Sequence, residues 1–224
     1  MVTQTYDTNL YIINGVTHDM PIRCVLFDVD GVIIQSPLFS EVYERRYGVA
    51  SEKFEPFFRD EFHRCLVDEG DLTEMLKPWL PHWKWDGSVD AFLQFWFEAE
   101  QHIDEGIMST VQALRHEGIR CYLATNQERY RAAYLKDEMG FGEAFDGLYI
   151  SSHIGAMKPD DAYFRHVHDD LKKTQGIAPH EIMFFDDAQR NVDAALGWGI
   201  HAYLYSSFEG FERVIRPLLD HGQN

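Results

Sequence analysis

The second half of the chain alternates between apolar runs and amphipathic stretches with little between them. "IMSTVQALRHEG" puts Ile107, Val111 and Leu114 on one helical face and stops at Gly118. "IRCYLATN" reads as a strand, "QERYRAAYLKDEM" as a helix closed by Gly140, and "GLYISS" as a short strand. "DDAYFRHVHDDLKKT" is a helix before Gly176, "EIMFFDD" a strand, "AQRNVDAALGWG" a helix and "HAYLY" a strand. "FEGFERVIR" is a last helix, which Pro217 should end or kink. Strand–helix repetition leaves few choices. Each helix must cross back over the sheet to start the next strand. The expected fold class is therefore α/β, a doubly wound, mostly parallel sheet with a Rossmann-like core.

One further strand stands apart from the series. Cys24, Val25, Leu26 and Phe27 form a continuous apolar run, as a strand covered on both faces should. Between it and the alternating half, from Pro37 to about Asp104, the texture is helical. "SPLFSEVYERRYG" ends at a glycine C-cap, Gly48. Asp71 and Glu74 have capping-box spacing, and Ser88 caps a helix carrying Phe92, Phe95 and Trp96. No strand candidate occurs there. The expected division is a catalytic core from 21–36 and 105–224, an inserted α-helical cap at 37–104, and an N-terminal extension at 1–20. Within the extension, "LYIING" reads as an edge strand or a disordered lead, and Met20 is an alternative start. Ligands of such sheets bind beyond the carboxyl ends of the strands, so the insertion should sit over the site.

The polar residues that fall at those strand ends are specific. Asp28 and Asp30 follow the first strand, and Thr125 and Asn126 follow "CYLA". Lys158 comes shortly after "LYISS", and Asp186 and Asp187 end "IMFF", with Asn191 one helical turn on. In an extended segment, residues two apart point the same way, so Asp28 and Asp30 should face one spot, joined there by Asp186 or Asp187. Unrelieved carboxylates this close cost several kcal/mol or take up a proton. A divalent cation relieves the repulsion, and an all-oxygen set without His or Cys favours Mg²⁺ over zinc. Thr125, Asn126 and Lys158 add donors and a cation, which suit the oxygens of a phosphoryl group. An aspartate nucleophile would then form an acyl phosphate.

The ordered set "DVDGV", "ATN", "MKPD" and "FFDDAQRNVDAA" resembles the motifs of the haloacid dehalogenase superfamily over roughly residues 22–205. The helical insertion after the first motif is similar to the first cap class of that superfamily. The resemblance implies roles. Asp28 would be the nucleophile, and Asp30 the general acid that later activates water and binds metal through its carbonyl. Thr125 would hydrogen-bond the phosphoryl group with help from the Asn126 N–H, and Lys158 would neutralise charge. Asp187 would bind Mg²⁺ directly, Asp186 would act through water, and Asn191 would stand near the metal waters. Because Asp30 and both late aspartates are kept, the resemblance favours phosphoryl chemistry over halide displacement.

The expected activity is thus Mg²⁺-dependent hydrolysis of a small phosphorylated metabolite, a sugar phosphate being the leading guess. The alternatives are a sugar phosphomutase and a non-catalytic phosphoester-binding protein. The formal net charge of −17 argues against nucleic acid and membrane surfaces as partners. No apolar run reaches the roughly 20 residues of a membrane span. No signal peptide is read at the N-terminus, and Cys24, Cys65 and Cys121 read as reduced thiols, so the expected compartment is cytoplasmic. No oligomeric state follows from the sequence. Trp79, Trp83, Trp85 and Trp96 read as packing within the cap before a substrate cage. His166 and His168 do not share a helical face and read as solvated. Arg45, Arg46 and His63 are the cap charges available to a substrate's distal group, with a solvated helix face as the plainer reading.

Overall fold

A computed structural model describes residues 10–13, 16–19 and 22–220. Its centre is a five-stranded sheet of β3 (Cys24–Phe27), β4 (Arg120–Thr125), β5 (Gly147–Ile150), β6 (Ile182–Asp186) and β7 (His201–Leu204), in the order β5-β4-β3-β6-β7. Every pairing is parallel, with Phe27 opposite Leu123 on one side and Phe185 on the other. β3 is therefore the central strand, and its four residues are all buried. Strand order reverses on either side of β3, which is the switch point where such sheets bind ligands.

Helices cover both faces. Ile107, Val111 and Leu114 of the helix Glu105–His116 pack with Phe211, Ile215 and Leu218 of the helix Phe208–Asp220 on one face. Tyr163, Phe164, Val167 and Leu171 of Asp161–Gln175, with Val192 and Ala195 of Gln189–Gly197, pack on the other. The last helix runs through Pro217 to Asp220, where the sequence suggested a stop. Burial of Ile215 and Leu218 on either side of the proline holds it in line.

Residues 39–99 contain no β-strand and enclose a core of their own around Tyr43, Phe54, Phe57, Leu76, Trp83 and Phe92. Gly48 closes Phe39–Tyr47 at φ 66°, Asp71 caps Leu72–Leu76 through the N–H groups of Thr73 and Glu74, and Ser88 caps Val89–Ala99. The two crossovers that join this block to the sheet run side by side. The Gln35 N–H donates to the His102 carbonyl at 2.9 Å, and the Asp104 N–H to that of Ile33 at 2.8 Å. Leu10–Ile13 (β1) pairs antiparallel with Val16–Asp19 (β2) as a separate two-stranded sheet, so the strand reading of "LYIING" holds over Leu10–Ile13, and Asn14 and Gly15 lie outside the described residues. Met20 lies outside the described residues.

Candidate active site

Asp28 leaves β3 at the switch point, with 8% of its surface exposed. Its Oδ1 accepts from the Val29 N–H at 2.7 Å and lies 2.9 Å from Lys158 Nζ. Lys158 Nζ reaches Asp186 Oδ2 at 2.6 Å as well, so one buried ammonium bridges the ends of β3 and β6. Burial pushes the Asp28 carboxyl up, against the pull of Lys158 and with the repulsion of Asp186. Burial alone would lower the Lys158 pKa, but the two flanking carboxylates outweigh it and the lysine stays charged.

Asp186 is fully buried and heavily satisfied. Its oxygens accept from Asn191 Nδ2 at 3.0 and 3.1 Å and from the Ala188 N–H at 2.8 Å. Oxygens of Asp28, Asp186 and Asp187 all lie within 4.8 Å of one another. Burial, then the charge of Asp186, pushes the Asp187 carboxyl up. Asn191 Oδ1 is buried and has no hydrogen-bond partner among the described residues. Three hard carboxylates converging beside an unmatched amide oxygen form a set that fits a hydrated divalent cation such as Mg²⁺. Gly31 completes the cradle at φ 77°, where a Cβ would come 2.3 Å from Asp187 Oδ2.

The Asp30 carboxylate is not one of the three that converge within 4.8 Å, but its charge acts on Asp28 and Asp187 and it lines a cavity with Asp187. The chain stops being extended at Val29, whose carbonyl accepts from the Ile33 and Ile34 N–H groups at 2.8 Å each. The two-residue alternation assumed from sequence therefore fails there, and the Asp30 carboxylate meets Gln127 Nε2 at 2.6 Å instead. Thr125, at the end of β4, is 1% exposed, with its Oγ1 3.4 Å from the same amide. The Asn126 side chain clamps the backbone of Lys158. Its Nδ2 donates to the carbonyl at 2.9 Å and its Oδ1 accepts from the N–H at 2.8 Å. Asn126 thus fixes the loop that delivers the ammonium.

A cavity of about 360 Å³ opens from Asp30 and Asp187 toward the helical block, with Leu38, Phe62, Trp96, Glu100, Glu128 and Arg131 among its lining residues. Trp96 therefore serves both the block's core and the cavity wall, whereas Trp83 is core alone. Arg45, Arg46 and His63 do not line it. The sequence reading missed Gln127, Glu100, Glu128 and Arg131. The helix Arg129–Ala133 starts after Glu128, whose carboxylate caps the N–H groups of Tyr130 and Arg131. The Arg131 guanidinium donates to the Phe97 and Glu100 carbonyls, and Arg129 pairs with Asp68 at 2.6 Å. This one short helix joins the sheet to the helical block. Cys24, Cys65 and Cys121 are free and buried, and burial pushes each thiol up, so none is a candidate nucleophile.

A parallel sheet that gathers three carboxylates and a buried lysine at its carboxyl edge is suited to hold a divalent cation and an anionic group. Comparison with known proteins narrows the class. The family model of the haloacid dehalogenase-like hydrolases matches residues 22–199, and the chain belongs to that family. It is 30% identical over 189 residues to phosphoglycolate phosphatase 1 of Pseudomonas aeruginosa, covering 80% of this chain and 67% of that protein. A HAD-family enzyme of Bacteroides thetaiotaomicron superposes with a TM-score of 0.73 at 22% identity, over 88% of this chain and 99% of its own. The same enzyme solved with magnesium and inorganic phosphate gives 0.67 at 20% identity, over 83% and 94%. No helix among the described residues is long and apolar enough to cross a membrane.

Proposed function

We propose that the chain is a Mg²⁺-dependent phosphomonoester hydrolase acting on a small phosphorylated metabolite through an aspartyl-phosphate intermediate. The observation that carries this reading is Lys158 Nζ held between Asp28 Oδ1 and Asp186 Oδ2 at 2.9 and 2.6 Å, beside three carboxylates within 4.8 Å. The phosphatase relative and the neighbour's magnesium and phosphate complex support it.

Both contacts of Asp28 fall on Oδ1, which leaves Oδ2 to attack. A bond forms from Asp28 to phosphorus as the bond from phosphorus to the alcohol oxygen breaks, and Asp30 gives that oxygen a proton. Asp30 then takes a proton from water, whose oxygen displaces the Asp28 carboxylate and releases phosphate. Thr125 Oγ1 and the Asn126 N–H bind phosphoryl oxygens, and Lys158 offsets their charge. Asp28, Asp187, the Asp30 carbonyl and, through water, Asp186 would hold Mg²⁺, with Asn191 beside its waters. Bound there, the ion offsets the crowded negative charge of the carboxylates and the phosphoryl group. Residues 37–104 act as a cap that excludes bulk water and contacts the organic half of the substrate. Buried, unpaired thiols support a reducing, cytoplasmic setting.

The test is hydrolysis of p-nitrophenyl phosphate with Mg²⁺ and with EDTA, for the wild type and Asp28→Asn. Turnover should require Mg²⁺ and vanish in the variant while its circular dichroism stays native. A variant near wild-type activity removes Asp28 from the nucleophile's role.

A further inference from the structure

The cavity holds more information about the substrate than the phosphate end does. Its lining includes the apolar side chains Ile34, Leu38, Phe62 and Trp96. The Trp96 and Phe62 rings lie 5.5 Å apart between centroids, tilted by 46°, and Leu38 stands at the first crossover with 62% of its surface exposed. A leucine left this bare beside an aromatic pair is surface that a bound molecule can remove from water.

The charged groups argue the same way. Arg131 is the single cation of the lining, and it is already committed. Its Nη1 donates to the Phe97 carbonyl at 3.1 Å, its Nη2 to the Glu100 carbonyl, and its guanidinium lies over the Phe97 and Tyr134 rings at 5.3 and 5.4 Å. The remaining charged side chains, Asp30, Asp187, Glu100 and Glu128, are all carboxylates. Glu100 is tied to the Phe39 N–H at 2.7 Å and Trp96 Nε1 at 2.9 Å, and Glu128 caps its helix. A second anionic group on the substrate would meet four carboxylates against one guanidinium whose Nη1 and Nη2 already donate to backbone carbonyls. Against Ile34, Leu38, Phe62 and Trp96 a polyhydroxylated group would leave water for apolar surface, with Ser36, Asn126 and Gln127 the neutral polar residues of the lining.

We propose that the organic half of the substrate is an uncharged alcohol with a predominantly apolar face, alkyl, aryl or isoprenoid, and carries no second carboxylate or phosphate. This rests on the phosphomonoesterase reading above and narrows it. The reaction remains ester plus water giving the free alcohol and inorganic phosphate.

The experiment compares kcat/KM for n-hexyl phosphate, glucose 6-phosphate and 2-phosphoglycolate with Mg²⁺, all esters of primary alcohols, so leaving-group chemistry is nearly matched. Hexyl phosphate should exceed both others by at least about tenfold, the scale of one or two methylenes in an apolar pocket. Leu38→Arg, at an exposed position that folding does not need, should narrow the gap to 2-phosphoglycolate by lowering the first value and raising the second. Glucose 6-phosphate or 2-phosphoglycolate matching or beating hexyl phosphate overturns the inference and leaves the phosphatase reading intact. An unchanged ratio in Leu38→Arg also overturns it, because the wall would then not touch the substrate. Silence on all three substrates with Mg²⁺ present removes the phosphatase reading itself, and the inference with it.

Discussion

Gln127 Nε2 donates to Asp30 Oδ2 at 2.6 Å across 97 residues of sequence. Gln127 is 5% exposed, and its backbone N–H is fixed by Ser151 Oγ at 3.0 Å, so the amide is a rigid support. In the proposed mechanism, occupying one oxygen of Asp30 leaves the other to carry the proton toward the leaving alcohol, which would make Gln127 a positioning residue for the general acid. Gln127→Ala should lower kcat for an alkyl phosphate by about 10- to 100-fold, part of the ~10²–10⁴ that general acid catalysis supplies. With p-nitrophenyl phosphate, whose leaving group needs no proton, the loss should be only a few-fold. Equal losses on the two substrates would reduce Gln127 to a structural role.

Lys158 is the second lever. Its side chain is 1% exposed, and removing its charge leaves Asp28 and Asp186 facing each other in a buried site. Lys158→Met should abolish turnover and, in EDTA, cost about 3–5 kcal/mol of stability, the penalty for an orphaned buried charge. Mg²⁺ should return part of that loss, since a ligand at 100 times its Kd stabilises by about 2.7 kcal/mol. Urea midpoints with and without Mg²⁺ read both effects. A variant as stable as the wild type in EDTA would mean that the carboxylates do not need the ammonium.

These two residues also mark how far the sequence could be read. Thr125 and Asp186 were legible because a strand buried on both faces is a bare apolar run, and the first polar residue at its end must sit at the sheet edge, whereas Lys158, eight residues past Ile150, was placed by its "MKPD" motif. Asp28 was legible for the same reason as Thr125. Asp30 was legible at the strand end, but its bond to Gln127 was not, because the turn at Val29 depends on backbone hydrogen bonds that no periodicity announces. Gln127 follows Thr125 by two, a spacing that hints at a shared face, but its partner Asp30 comes from another strand. Glu100 and Arg131 were not singled out in the sequence, since nothing local distinguishes them; Arg131 is buried where it donates to the Phe97 and Glu100 carbonyls of the helical block. The caps Gly48, Asp71 and Ser88 were legible since a cap is a local event. Pro217 misled because tertiary burial overrode a local rule.

Gly31 tests the metal cradle without touching a carboxylate. A side chain there meets two obstacles, the left-handed backbone at φ 77° and Asp187 Oδ2 at 2.3 Å from the new Cβ. The first costs about 1–2 kcal/mol. The second displaces Asp187 from Asp28 and Asp186. Gly31→Ala should therefore raise the Mg²⁺ concentration for half-maximal activity by about tenfold or more, the order seen when metal-site supports are lost. Saturating Mg²⁺ should recover most of kcat. An unchanged Mg²⁺ requirement would show that Asp187 is not a ligand.

Glu128 gives a prediction in pH. It is 2% exposed, and burial pushes its carboxyl from 4.5 up to about 7, against the opposing hydrogen bonds of the Tyr130 and Arg131 N–H groups and the charges of Arg131 and Arg129. The folded state therefore holds a proton that the unfolded state has lost between about pH 4.5 and 7. Stability falls as pH rises through that window, and the loss is complete above the folded pKa. At 1.36 kcal/mol per pKa unit, the full excursion is about 3 kcal/mol. Glu128→Gln cannot ionise, so it removes this contribution to the slope. It also places an amide NH₂ against one of the two capped N–H groups, a pH-independent cost of about 1 kcal/mol. The variant should be less stable than the wild type at pH 5 and should gain on it steadily, overtaking it by pH 8. Urea unfolding of both proteins at half-unit steps measures the difference curve, in which other titrating groups cancel. A flat difference between pH 5 and 8 would mean that Glu128 is already ionised at pH 5 in the folded protein, and that its two N–H donors outweigh its burial.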